Sequence, residues 1–145
     1  MQRGRAERYQ QLIQLCQQFD VAILYAFGSR GRDVWEWLHG HRDRLTPDPR
    51  DVDVGVKLRP GKRLSVREKV ALTLALEDLL DVSRVDLVVL EEADPFLAAN
   101  IIRGERLYAA DDYFADEYEL YILRRAGDLA PLERERMKLV LEKPS

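Results

Sequence analysis

The feature that most constrains the fold is an unbroken apolar run, residues 21–27 (VAILYAF), which ends at Gly28. A continuous apolar run of this length, rich in β-forming side chains, predicts a strand that is buried on both faces. Such a strand needs elements packed against each side of its sheet, so the run favours a layered architecture.

Three further segments have strand character. Residues 51–58 (DVDVGVKL) alternate, with valines on one face and two aspartates on the other. Residues 84–90 (RVDLVVL) predict a third strand, and residues 105–109 (ERLYA) predict a short edge strand. Helical patterns lie around and between the strands, at residues 6–19, 29–39, 65–81, 94–103 and from 111 onward. The order predicts an α/β fold, a small mixed sheet with helices packed on it.

Two of these helices begin at recognisable capping residues. Ser29 is a favourable N-cap for the helix at 29–39. Ser65 and the glutamate three residues later form a capping-box pattern at the start of the helix at 65–81. The apolar stripe of this second helix is expected to consist of Val66, Val70, Leu74 and residues 76–80.

The chain length of 145 residues predicts one domain, residues 1–145. It is expected to carry an insertion at about 33–50, where Pro47 and Pro49 favour loop structure. A helical C-terminal segment is expected at about 111–142, with a break near residues 127–131 (GDLAP).

The net charge and the cysteine content indicate which classes of partner and which cellular compartment to expect. The net charge is −3 and there is no block of lysine and arginine, so direct nucleic-acid binding is not expected. Cys16 is the single cysteine, which excludes a disulfide within the chain and suits a reducing, cytoplasmic location. No apolar run reaches membrane-spanning length, and the polar N-terminus does not resemble a signal peptide, so no membrane association is expected.

Asp51 and Asp53 are the first candidate site residues. Residues i and i+2 of a strand project to one face, about 6–7 Å apart, and two carboxylates there repel each other unless a cation screens them. Mg²⁺ prefers carboxylate oxygens together with water and phosphate, and two such ions about 3.5–4 Å apart suit this spacing. The same pattern in isolation also describes a solvated polar face. Gly55 favours a site, since it leaves that face bare beside the acids.

Gly28 and Ser29 are the second candidate. They join a buried strand to a predicted helix, where backbone N–H groups bind anions well. Taken alone, the pair is equally an ordinary turn capped by a serine. Arg30 follows the turn and is favoured as a contact to phosphates, with Arg32 as a weaker candidate.

Asp86 is the third candidate, a charge inside the apolar strand at 84–90. A charge in such a position must form an ion pair, bind a metal or reach water, and Arg84 is an obvious ionic partner. Together, however, a phosphate-type turn and three acids on two strands describe a nucleoside triphosphate site.

The combination "FGSRGR…RDVDVGV…VDLVVL" resembles the DNA polymerase β-type nucleotidyltransferase superfamily. The small size and the stretch "LEEADPFLAANIIRGERLYAADD" are similar to the minimal nucleotidyltransferases (MNT), the antitoxin halves of MNT/HEPN toxin–antitoxin pairs. The resemblance extends from about residue 20 to residue 113. It implies the nucleotidyltransferase fold and a protein adenylyltransferase that modifies a tyrosine of a HEPN RNase toxin, with which it forms a hetero-oligomer.

The resemblance also implies a role for each site residue. Gly28 and Ser29 would hold the phosphates of ATP. Asp51 and Asp53 would bind two Mg²⁺ ions, and Asp86 would complete the metal site and help to deprotonate the acceptor hydroxyl. The reaction would be an in-line attack on the α-phosphate with pyrophosphate leaving.

Several alternatives stay open from the sequence. The chain could be an antitoxin that blocks its partner by binding alone, a small-molecule nucleotidyltransferase of the aminoglycoside-modifying type, or a non-enzymatic α/β scaffold. The insertion carries Trp35, Trp37, His39 and His41, and these either contact a partner or pack the inserted helix onto the core.

Overall fold

The structure is a computed structural model that describes the backbone of residues 4–142 and the side chains of residues 4–128. The chain alternates helices and strands, and two short 3-10 turns lie at Gly28–Arg30 and Leu90–Glu92. In chain order the elements are α1 (Arg5–Gln18), β1 (Val21–Phe27), α2 (Gly31–Leu38), β2 (Val52–Leu58), α3 (Val66–Leu80), β3 (Val85–Val89), α4 (Pro95–Ile102), β4 (Glu105–Ala109) and α5 (Asp112–Glu142).

The four strands form one mixed sheet in the order β3-β2-β1-β4. The central strand β1 is antiparallel to β2 and to β4, whereas β2 and β3 run parallel. Every residue of β1 is buried, as the continuous apolar run predicts, and β4 is an edge strand. The predicted α/β class and the mixed sheet are therefore confirmed.

Helices cover both faces of the sheet. On one face α1, α2 and α3 pack against the valines of β2, with Leu12, Leu38 and Leu76 in this core. On the other face α4 and α5 pack against alternate side chains of β1, including Tyr25 and Phe27. Asp53 of β2 projects toward this second face, because it is the register partner of Phe27 and side chains alternate along a strand.

Helix α3 confirms its predicted cap and only part of its predicted apolar stripe. Ser65 accepts a hydrogen bond from the Glu68 amide, and the Glu68 carboxylate accepts one from the Ser65 amide. Val66, Val70 and Leu74 are exposed, so this part of the expected stripe is wrong. The part at residues 76–80 holds for Leu76, Leu79 and Leu80, which are buried together with Leu72. Apolar residues lie on several sides of this helix, so periodicity alone does not identify the buried side.

Helix α5 runs without interruption from Asp112 to Glu142, so the expected break near residues 127–131 is wrong. Glycine and proline lower helix stability, yet both can adopt helical dihedral angles. In the part of the chain that the structure describes, no helix combines the length and apolar content needed to cross a membrane.

The segment after β1 also differs from its prediction. A 3-10 turn at Gly28–Arg30 precedes α2, and the Ser29 hydroxyl makes no capping hydrogen bond. Trp37 packs into the core, which supports the packing alternative for this tryptophan. Trp35 is only half-buried, and its ring stacks on His39 with the ring centroids 4.1 Å apart.

Candidate nucleotidyl-transfer site

Three neighbouring strands bring the candidate residues to one end of the sheet. Asp53 of β2 is the register partner of Asp86 in parallel strand β3. On its other side, Asp53 is the register partner of Phe27, the last residue of β1, which Gly28 follows. Adjacent strands are about 4.8 Å apart, so the two carboxylates and the glycine turn are immediate neighbours.

A glycine is required at position 28 because the backbone there lies against Asp53. Its φ of +71° lies in the left-handed region, which residues other than glycine adopt only at a cost in free energy. A Cβ at this position would overlap the Asp53 carboxylate, whose Cγ would lie 3.3 Å away. The turn and the acid are thus packed directly against each other, as a shared phosphate and metal site requires.

Gly55 has a different role from the one expected. It is buried, and a Cβ on it would overlap the Cγ2 methyl of Ile101 in α4. The absence of a side chain therefore makes room for a helix of the protein, and the expectation that Gly55 keeps the acid face bare for a ligand is wrong.

Asp51 directly precedes β2 and lies two residues before Asp53. Its Oδ1 atom is 3.7 Å from Nε of Arg84, and both side chains are substantially exposed. Exposed ion pairs of this kind contribute little to stability and are easily exchanged for another cation. Arg84 thus pairs with Asp51, and Asp86 forms no ion pair among the described residues.

The electrostatics of Asp53 reflect this crowding. Burial raises the pKa of its carboxyl group, and the negative charges of Asp86 and Asp51 raise it further. The ionised form of Asp53 is therefore less favourable in the protein alone than it is in water. A bound cation would reverse the balance, because it attracts all three carboxylates.

The donor set suits Mg²⁺ without forming a complete cage. Within residues 4–128, no group of three or more acidic, histidine or cysteine side chains is arranged to enclose a metal ion. Mg²⁺ is commonly held by one or two carboxylates, with waters and substrate phosphates as the remaining ligands. Asp53 and Asp86 provide such a pair, and Asp51 lies next to it in the chain. The residues therefore fit the ion that the sequence implies.

The two arginines near the turn are placed differently from expectation. Arg30 is 3% exposed, and its guanidinium donates to the carbonyl oxygens of Thr46 at 2.7 Å and Arg50 at 3.3 Å. This geometry does not support the predicted contact of Arg30 with a nucleotide. Arg32, in the first turn of α2, has a side chain that is 60% exposed and lies over the Trp35 ring. Its guanidinium also lies 3.8 Å from Glu36 and 3.6 Å from Glu105, in exposed ion pairs that a phosphate can replace. Sequence reasoning ranked Arg32 second, yet it is more accessible than Arg30.

Two cavities of the protein lie away from these residues. One of about 460 Å³ is formed by α1, α2 and β4, with Arg5, Tyr9 and Tyr108 in its wall. Another, of about 620 Å³, lies at the opposite end of β2 beside Arg59 and Lys62. We place the site at the acids, because carboxylates and an anion-binding turn converge there.

Comparisons with known proteins bear on the family and the fold of the chain. Residues 10–113 match the family model described as polymerase beta, nucleotidyltransferase. No curated protein matches the chain.

Two solved structures illustrate the similarity in fold. A toxin–antitoxin crystal structure with AMP-PNP is 18% identical in sequence, with a TM-score of 0.68 over 92% of this chain and 98% of that chain. A structure of the tri-AMPylated Shewanella oneidensis HEPN toxin in complex with MNT antitoxin is also 18% identical, with a TM-score of 0.66 over 95% of this chain and 99% of the matched chain. At this identity the likeness shows a common fold.

Proposed function

This chain belongs to the polymerase β nucleotidyltransferase family, and we propose that it transfers AMP from ATP to a tyrosine of a HEPN-type toxin and so neutralises that toxin. The observation that carries the proposal is the packing of the Gly28 turn against Asp53, with Asp86 alongside on the next strand. This places an anion-binding turn and a cation-binding pair in direct contact.

Each residue has a role in the proposed reaction. Asp51, Asp53 and Asp86 would hold two Mg²⁺ ions, which supply charge neutralisation at the phosphates when bound. Gly28 and Ser29 would bind the phosphates through backbone N–H groups and the exposed Ser29 hydroxyl. We add Arg32 as a further phosphate contact in place of Arg30.

The chemical step is a nucleotidyl transfer. The tyrosine oxygen of the acceptor attacks the α-phosphorus of ATP, and the bond from that phosphorus to the pyrophosphate oxygen breaks. The hydroxyl proton leaves to the Asp86 carboxylate or to water. The protein contributes mainly by positioning the two substrates and by compensating charge, as in other phosphoryl transfers.

Two considerations support a protein acceptor. The acids lie at an open end of the sheet, and Asp86 is exposed, so a tyrosine on another chain can approach. In addition, structures with this fold include toxin–antitoxin complexes, one of which contains an AMPylated HEPN toxin. A hetero-oligomer with the toxin and a cytoplasmic location are parts of the same proposal.

A second candidate is an antitoxin that acts by binding alone. Helix α5 exposes apolar side chains that a partner could cover, among them Tyr113, Leu120 and Tyr121. Tyr118, on the same helix, is half-buried and stacks on Phe114. Such a surface serves a binding antitoxin and an enzymatic one equally.

Growth of cells that express the toxin separates the two candidates. Wild-type protein should restore growth, whereas the Asp51→Asn, Asp53→Asn double variant should not, although it should still co-purify with the toxin. Restoration of growth by the double variant would favour the binding-only candidate. A small-molecule acceptor predicts that neither protein restores growth.

A further inference from the structure

The loop between α2 and β2, residues 39–51, contains no helix or strand in the structure. Two arginines from outside this loop fix its backbone. Arg8 and Arg30 are also the two charged side chains that are buried in the described part of the chain, at 4% and 3% exposure. Their hydrogen-bond partners are main-chain carbonyl oxygens, not carboxylates.

Arg8, from α1, holds the first half of the loop. Its guanidinium donates to the carbonyl oxygens of Arg42 at 3.0 Å and Asp43 at 2.8 Å. It also donates to the Trp37 carbonyl at 2.7 Å and lies 5.0 Å from the centroid of that indole ring. These contacts are remote in sequence from Asp51.

Arg30 holds the second half of the loop. Its guanidinium donates to the carbonyls of Thr46 and Arg50, and Arg50 directly precedes Asp51. The backbone of Arg30 belongs to the 3-10 turn at Gly28–Arg30. One residue therefore connects the proposed phosphate turn to the start of the strand that bears the acids.

We propose that Arg30 is a positioning residue that sets the distance between the phosphate turn and Asp51. The inference rests on the proposed function, in which Asp51 binds a metal ion. A guanidinium has a rigid planar fork, so two carbonyls bonded to it are held in a fixed relation to each other. A buried cation bonded to neutral carbonyls is a poor means of stabilising a fold, which favours a role in geometry.

The test compares Arg30→Lys and Arg30→Met with the matched pair Arg8→Lys and Arg8→Met. Hydrogen–deuterium exchange reports the order of the loop, and electron paramagnetic resonance of free Mn²⁺ reports metal affinity in the absence of nucleotide. Thermal melting reports the loss of stability. None of the three measurements depends on AMP transfer.

Both Arg30 variants should exchange amides at residues 50–52 about tenfold faster, because a charge-assisted hydrogen bond is lost. They should also bind Mn²⁺ about tenfold more weakly. Lysine should not rescue, since one ammonium group cannot replace the fork that spans two carbonyls. The Arg8 variants should lose a similar amount of thermal stability and exchange faster near residues 42–43, with Mn²⁺ affinity changed less than about twofold.

Two results would overturn the inference. One is wild-type Mn²⁺ affinity in both Arg30 variants, or no Mn²⁺ binding by the wild type. The other is an equal loss of Mn²⁺ affinity in the Arg8 variants, which would indicate general loosening of the loop. Failure of the proposed function looks different: the wild type would bind Mn²⁺, with the expected differences among variants, but would transfer no AMP.

Discussion

Replacement of Gly28 by alanine tests the packing at the centre of the site. The residue has a φ of +71°, and a left-handed conformation costs a non-glycine residue about 1–2 kcal/mol. The added methyl group would also overlap the Asp53 carboxylate. That side chain is only half-buried, so it is expected to rotate away rather than unfold the protein. A displacement of a positioned group by about 1 Å costs roughly 100-fold in rate.

Gly61 offers a matched control for the backbone contribution. Its φ is +78°, and a Cβ built there meets no heavy atom within 4 Å. Gly61→Ala therefore carries the same conformational cost without the collision. Both variants should lose about 1–2 kcal/mol of stability in urea unfolding. Only Gly28→Ala should lose AMP transfer, by about 100-fold, while Gly61→Ala stays within about twofold of wild type.

Initial rates of AMP incorporation into the partner, measured by intact-protein mass spectrometry at saturating ATP, provide the readout. Equal rates for Gly28→Ala and wild type would refute the reasoning, because the methyl group cannot be accommodated with Asp53 in its present position. Equal losses of rate in both alanine variants would attribute the effect to general destabilisation and would equally contradict a local role.

Three further predictions concern single contacts. Asp53→Asn should stabilise the metal-free protein at pH 7, because burial and the charges of Asp86 and Asp51 raise the pKa of Asp53. Urea unfolding should show that the gain vanishes below about pH 4, and a gain that persists there would contradict this cause. Gly55→Ala should cost about 1–3 kcal/mol through overlap with Ile101, and Ile101→Leu, which removes the β-branch, should recover part of the loss in thermal melting. Ser65→Ala should lower the free energy of unfolding by about 1 kcal/mol, because it removes the hydrogen bond from the Glu68 amide. The rate of AMP transfer should stay unchanged. A reduced rate at unchanged stability would argue against a purely local role of the cap.

The strands were predictable because their signals are local. The run at 21–27 and the segment at 105–109 coincide with β1 and β4, since strand bounds follow from apolar runs and flanking turn residues. The alternation likewise predicts correctly that the valines of β2 are buried and that Asp53 between them is only partly buried.

The errors concern contacts that the sequence does not encode locally. Position 55 carries no side chain because Ile101, which is distant in sequence, packs directly on it. The choice between Arg30 and Arg32 depends on the 3-10 turn, which rotates one side chain into the protein and the other toward solvent. The exposed face of α3 could not be identified from the sequence, because the helix itself carries apolar residues on several of its sides.

The most direct test of the account is the mass of the HEPN partner after incubation with this protein, ATP and Mg²⁺. With wild-type protein, the partner should gain the mass of one or more AMP groups on tyrosine. With the Asp51→Asn, Asp53→Asn double variant, the partner should gain no mass. A partner that stays unmodified with wild-type protein, in a complex shown to have formed, would contradict the central claim.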